Sequence, residues 1–174
     1  WAFDRRLLEG VHGCDATIFH VGDYYYMTLT TKRWLATTWD NQRMFRSRSP
    51  LGPWSEHDGG LVRIDCTMAR PGGLAFVRDA RLLRPAQNSS AFYGGSMTVL
   101  DIGPVTGDEI DETPVATIKV TGPANAIGTH TYAKCGSIEA VDVYGDVRKI
   151  RQVEITCAPS PDATSSEAPQ RGIR

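Results

Sequence analysis

The chain has 174 residues, 41% of them hydrophobic and 22% charged, enough for one domain with its own core. Nineteen basic residues against twenty acidic leave a net charge of −1, which excludes strong electrostatic steering toward nucleic acid or an anionic membrane. No apolar run reaches the ~18–20 residues that span a bilayer, and no basic–apolar–small leader is visible, so nothing assigns a compartment.

Trp1 stands first rather than Met, so an upstream portion is expected, and Trp1–Glu9 reads as the outermost strand of a preceding sheet. Next, Ile18-Phe19, a turn at Val21-Gly22-Asp23 and Tyr24–Thr30 read as a hairpin whose second arm is aromatic and β-branched. Strands are expected at Trp34–Thr38 and Met44–Ser47. Ser47-Arg48-Ser49-Pro50-Leu51-Gly52-Pro53-Trp54 then breaks the pattern, with Pro and Gly ending the strand and Trp54 able to plug between sheet faces. A second hairpin follows at Leu74–Val77, Arg78-Asp79 and Ala80–Leu83, with further strands at Ser96–Leu100 and Val115–Val120. The third hairpin runs Tyr132-Ala133, Lys134–Gly136, Ser137–Val143, and a last strand is expected at Val147–Thr156. No stretch sustains a 3.6-residue apolar period, so the fold class is all-β. The tail, Ala158–Arg174, is rich in Pro, Ser, Ala and charge and reads as disordered.

The hairpins form a repeat. Each is preceded by a short polar cluster: Cys14-Asp15-Ala16-Thr17, Ala69-Arg70-Pro71-Gly72 and Gly128-Thr129-His130-Thr131. Asp15 to Arg70 is 55 positions and Arg70 to His130 is 60, the length of a four-stranded propeller blade. The expected architecture is about three blades over residues 1–157, the C-terminal part of a β-propeller, followed by the tail 158–174. Innermost strands of successive blades line one channel, which would bring Asp15, Arg70 and His130 around one axis.

The candidate site residues follow from that placement. Asp15 can tune a neighbour or hold a sugar hydroxyl, or can equally be a turn residue at a strand start. Arg84-Pro85-Ala86-Gln87-Asn88-Ser89-Ser90 with Tyr93-Gly94-Gly95 is the densest polar patch. Arg84, Gln87 and Asn88 offer planar donors and acceptors suited to vicinal hydroxyls, and Tyr93 a ring for stacking on a sugar; the alternative is a loop that satisfies its own backbone. Arg70 reads either as a ligand contact or as a salt-bridge partner between sheets. His130 reads as a satisfied core histidine, an acid or base, or an ion ligand. Cys14, Cys66, Cys135 and Cys157 show no CxxC spacing, which disfavours zinc; two disulfides are open, with small buried thiols the expectation.

The motifs Asp-Ala-Thr-Ile-Phe (15–19), Ser-Pro-Leu-Gly-Pro-Trp (49–54), Ala-Arg-Pro-Gly-Gly (69–73), Arg-Pro-Ala-Gln-Asn (84–88), Tyr-Gly-Gly (93–95) and Gly-Thr-His-Thr (128–131) occur in this order. Over about residues 1–146 the chain resembles the propeller domain found N-terminal in plant glucosamine inositolphosphorylceramide transferases. Its Ser-x-Ser-x-x-Gly-Pro-Trp turn resembles that of five-bladed glycosidase propellers such as arabinanases and β-xylosidases. The resemblance implies a five-bladed, carbohydrate-processing propeller with Asp15 and His130 as catalytic candidates and Arg70, Arg84, Gln87, Asn88 and Tyr93 binding substrate. A non-catalytic glycan-recognition domain of a glycosyltransferase and a plain scaffold are the alternatives. Its partners would be a carbohydrate or glycolipid headgroup and a fused or adjacent transferase domain. No cofactor is implied beyond a structural cation near His130. One departure weighs against hydrolysis, Asn88 standing where the family usually has Asp; no Ala-Asp-Pro motif lies in this chain, so a processing propeller would take its general base from the absent blades. Ser89 stands where the family often has Cys.

Overall fold

The computed structural model describes residues 2–32, 39–106, 109–121, 126–145 and 154–159. These residues are all-β, with strands and turns and no helix among them. The first sheet is an antiparallel meander, in the order β1 (Gly13–Val21), β2 (Tyr24–Thr31), β3 (Asn41–Ser47) and β4 (Ser55–Ile64). Gly22-Asp23 closes its first hairpin, as the sequence predicts, with Gly22 at φ 59°. Strand β2 is buried on both faces, which explains its aromatic and β-branched composition. Met27 and Leu29 pack with Phe45, and Leu7, Leu8, Val11 and Trp54 lie against them. Tyr26, on the opposite face, joins Phe19, Met44 and Ile102 of the second sheet.

That second sheet has the order β13-β8-β7-β6-β5, formed by β5 (Phe76–Arg78), β6 (Arg81–Asn88), β7 (Ser96–Thr106), β8 (Glu109–Thr121) and β13 (Glu154–Pro159). Asp79 and Ala80 close β5 to β6 with φ of 52° and 59°, the positive pair that a primed two-residue turn requires. Phe76, Leu83, Met97, Val99, Ile118 and Tyr132 make its core. Burying a side chain such as Met97 or Ile118 contributes roughly 1.5–3 kcal/mol. After these come two small pairs, β9 (Ala126–Gly128) with β12 (Tyr144–Gly145), and the hairpin β10 (Tyr132–Cys135) with β11 (Ile138–Val141).

Several expectations shift. The leader before β1 forms no strand among the described residues; it lays Leu7, Leu8 and Val11 on the first sheet instead. Arg84–Asn88, read as loop, is strand in unbroken register with β7. Of the strand expected at Val147–Thr156, only 154–156 is described; it begins β13 and covers the β8 edge rather than adding a strand to the third hairpin. Trp34–Thr38 and residues 160–174 lie outside the described residues. Cys14, Cys66 and Cys135 are free thiols, the first two half-buried and the third exposed, so burial is not what these three share.

A buried polar network links the sheets. Arg84 of β6 donates to Glu112 of β8 through two nitrogens, at 2.7 and 2.9 Å, and to the Met68 carbonyl at 3.1 Å. Arg63 of β4 lies 3.1 Å from the same carboxylate, and Gln42 of β3 donates to it at 3.3 Å. The Arg84 and Glu112 side chains are both fully buried.

Candidate functional site

The three polar clusters meet. The Arg70–Gly72 segment runs beside β6, with Gln87 N–H donating to Arg70 O at 2.7 Å and Gly72 N–H to Pro85 O at 2.9 Å. Into this segment the other two clusters are tied directly. The Thr17 hydroxyl donates to Gly73 O at 2.7 Å, and Tyr132 N–H donates to Gly72 O at 2.7 Å. Such closeness demands glycine. Gly73 has φ 141°, and a Cβ there would fall 1.9 Å from Tyr132 O.

Asp15 sits at the register shift in β1, with φ 53°. A left-handed non-glycine residue at a bulge is held by its surroundings and re-aims its side chain. Its Oδ2 accepts from Arg70 Nε at 2.6 Å and from Gln87 Nε2 at 2.8 Å. Gln87 Nε2 also donates to Pro71 O at 2.9 Å. The Arg70 guanidinium stands 5.1 Å from the Tyr93 ring centroid, a cation–π distance. Burial differs along the pair: the Arg70 side chain is 11% exposed and that of Asp15 40%. The carboxylate therefore faces the opening, and the guanidinium supports it from beneath.

Tyr93 continues the wall. Trp39 packs against it at 5.6 Å between centroids, and His130 meets it edge-on at 5.6 Å. The Tyr144 hydroxyl donates to Tyr93 O at 2.5 Å. Burial pushes the Tyr144 phenol up, and Tyr93 and Asp142 add to the shift, so it remains a donor at neutral pH. His130 Nδ1 lies against the Asp142 carboxylate. Together Asp15, Thr17, Pro71–Leu74, Gln87, Tyr93, His130 and Thr131 line a cavity of about 240 Å³.

Five of the seven residues expected at the site thus converge: Asp15, Arg70, Gln87, Tyr93 and His130. Arg84 and Asn88 do not. A regular strand sends alternate side chains to opposite faces, so Arg84 and Asn88 share one face of β6 and Gln87 takes the other. Arg84 is sealed against Glu112 and offers nothing to a ligand. Burial alone would raise the Glu112 carboxyl, but Arg84, Arg63 and Gln42 together hold it below the usual carboxylate range. Arg63 is pulled down by burial, with Glu112 opposing that shift. Asn88 accepts from Ser90 N–H at 3.1 Å and from the Ser90 hydroxyl at 2.7 Å, and lines a different cavity with Phe92 and Lys119.

Trp39, Asp142 and Tyr144 were not expected at the site. Asp142 was within reach of the sequence: the hairpin register pairs Tyr132 with Val141, which carries the next residue to a place beside Thr131. Among the described residues, no group of three or more His, Cys, Asp or Glu side chains could hold a metal ion.

The family described as "Glucosamine inositolphosphorylceramide transferase 1, N-terminal" matches residues 1–136. Glucosamine inositolphosphorylceramide transferase 1 of Oryza sativa subsp. indica is 42% identical over 71 residues, which is 40% of this chain and 10% of the relative. The Oryza sativa subsp. japonica protein matches over the same shares. The chain thus matches about a tenth of the length of these curated relatives. Among solved structures, an α-L-arabinofuranosidase of Clostridium thermocellum is 14% identical, with a TM-score of 0.46, over 88% of this chain and 49% of that one. An enzyme of Xanthomonas citri complexed with xylose is also 14% identical, with a TM-score of 0.37, over 68% and 42%.

Proposed function

The chain belongs to the glucosamine inositolphosphorylceramide transferase 1 N-terminal family, and from that membership we propose that it is a non-catalytic glycan-recognition domain whose ligand sits at the Asp15–Tyr93 mouth. The observation that carries this reading is the Asp15 carboxylate, clamped by Arg70 and Gln87 yet open to the cavity. A carboxylate fixed in that way is a rigid acceptor for sugar hydroxyls. Tyr93 and Trp39 add aromatic surface beside it, the combination of apolar wall and few placed polar groups that small-molecule sites use. The cavity of about 240 Å³ is somewhat smaller than the roughly 300–1,000 Å³ of clefts for drug-sized ligands, which suits a single ring. The relatives' name joins glucosamine to an inositolphosphorylceramide, so a carbohydrate or glycolipid headgroup is the ligand class, and a fused or adjacent transferase domain the partner.

The processing reading, with Asp15 and His130 as catalytic groups, is less well supported. Hydrolysis of a glycosidic bond generally needs two carboxyl groups roughly 5–9.5 Å apart. Among the described residues, Asp15 is the sole carboxylate lining the cavity, and two donors already occupy one of its oxygens.

A glycan array probed with the full chain tests the proposal. The best-bound glycan should bind at least ~tenfold more weakly to Tyr93→Ala and to Asp15→Asn, in keeping with loss of an aromatic face or a charged hydrogen bond. Equal binding by both variants would overturn it. Release of reducing sugar from that glycan by the chain alone would favour the processing reading.

A further inference from the structure

The Ser47–Trp54 turn plays no part in the mouth. It lies at the other end of the first sheet, where Ser47 pairs with Tyr25 beside the turn that closes β1. At ~3.3 Å per residue, β1 runs roughly 20 Å from Asp15 to Val21. At that far end Tyr24, Arg46, Ser47, Arg48 and Ser49 line a separate cavity of about 470 Å³.

Its hydrogen-bonding groups have donors to spare. The Ser47 hydroxyl accepts from Ser49 N–H at 3.1 Å, and the Ser49 hydroxyl accepts from Leu51 N–H at 3.2 Å. A hydroxyl that accepts still has its own proton to give, and among the described residues neither proton meets an acceptor. Arg48 is exposed. It donates to the Tyr24 hydroxyl at 3.1 Å and stands 4.8 Å from that ring's centroid, but no carboxylate pairs with it among the described residues. Arg46 stands 5.8 Å from the same centroid and donates to Asp58 at 3.1 Å. Tyr24 therefore holds two guanidinium groups, of which Asp58 neutralises one.

We propose that this cavity is a phosphate-ester site, in which Arg48 supplies a guanidinium fork and Ser47 and Ser49 supply hydroxyl donors. The Tyr24 ring and hydroxyl hold the fork in place. A guanidinium matches the oxygens of a phosphate in pairs, and the two hydroxyls serve the oxygens that the fork leaves. A planar carboxylate would occupy the fork and leave the hydroxyls idle. The chemistry is the reverse of the mouth, where the Asp15 carboxylate is an acceptor, and this inference stands apart from the glycan reading. With a net charge of −1, the chain has no long-range attraction for anions, so binding must come from these contacts.

The test follows the Ser49 and Leu51 amides of the ¹⁵N-labelled full chain as inorganic phosphate, glucose 6-phosphate or acetate is added at constant ionic strength. Cosedimentation with vesicles of phosphatidylcholine and phosphatidylinositol in equal parts forms a further arm. Phosphate or its sugar ester should shift both amides saturably and more tightly than acetate. Arg48→Gln should weaken that binding at least ~tenfold, as loss of charge-assisted hydrogen bonds implies, with an unchanged melting temperature because Arg48 is exposed. Ser49→Ala, which removes one donor, should weaken it several-fold and gives a second, independent reading. Arg5→Gln, the same charge change on the leader, and Tyr93→Ala at the mouth should leave it unaltered. Response to the soluble probes identifies a free phosphate ester; response to the vesicles alone, lost in Arg48→Gln, identifies a lipid headgroup; either upholds the site. No saturable response to any probe, acetate binding as tightly as phosphate, or Arg48→Gln binding like wild type overturns it.

Discussion

Replacing Glu112 by Ala would strand a buried guanidinium. Arg84 has a fully buried side chain, and two of its nitrogens donate to Glu112 at 2.7 and 2.9 Å. Without the carboxylate it retains only the Met68 carbonyl, at 3.1 Å, of the partners described above. Breaking a buried pair from one side costs about 3–5 kcal/mol, a large fraction of the ~5–15 kcal/mol by which domains are stable. Removing both partners with Arg84→Met and Glu112→Leu should cost far less than the two single changes together, because apolar groups need no partner. Urea denaturation of the two single variants and the double gives the cycle. The network also sets an acid limit. Because the folded carboxyl of Glu112 titrates below its ordinary 4.5, its contribution is complete above that value and is lost as pH falls through the folded pKa. Wild type should therefore lose more stability below about pH 4.5 than Glu112→Gln does. A cost below ~1 kcal/mol for Glu112→Ala, the size of an ordinary substitution, would refute the network as a clamp between sheets.

Gly73→Ala should destabilise the chain and widen the mouth, since its methyl would fall 1.9 Å from Tyr132 O at φ 141°; a lowered melting temperature together with shifted Tyr132 and Thr17 amide signals checks this. Gln87→Leu should leave the fold largely intact but release Asp15 from one of its two donors, so glycan affinity should fall several-fold with a melting temperature within a few degrees of wild type, near the ~1 kcal/mol of one hydrogen bond. On the surface, Lys134 and then Tyr132 hold the Glu139 carboxyl down to about 2. Its carboxyl carbon signal should stay that of an ionised group as the acid limb is titrated until pH nears that value, and Lys134→Ala should move the midpoint up toward the usual 4.5. A midpoint unchanged by Lys134→Ala would remove the lysine as cause.

The hairpins were legible because their signals are local. Gly22-Asp23 between a β-branched run and its partner declares a two-residue turn, and the recurrence of polar clusters every 55–60 positions declares a repeat that places Asp15, Arg70 and His130 together. Arg84 was misread for a reason the sequence also contained. Once 84–88 is taken as strand rather than loop, alternation sends Arg84 and Gln87 to opposite faces, and only one of them can reach the mouth. Glu112 was beyond local reading. It stands in Asp108-Glu109-Ile110-Asp111-Glu112, a run that looks solvated, and only the approach of β4 to β8, with Arg84 reaching across from β6 of the same sheet, gives that one acid its buried partners Arg63 and Arg84. Strand pairing across distant segments decides such cases, as when β13 pairs with β8 rather than extending the third repeat.

The junction of Thr17, Gly72–Gly73 and Tyr132 consists of main-chain carbonyls taking donors from segments more than fifty positions apart. Its aperture is therefore set by the relative tilt of whole sheets. Small changes in distant packing would act there with the leverage of a long arm, and substitutions remote from Asp15 could retune what the opening admits while every residue of its rim stays the same.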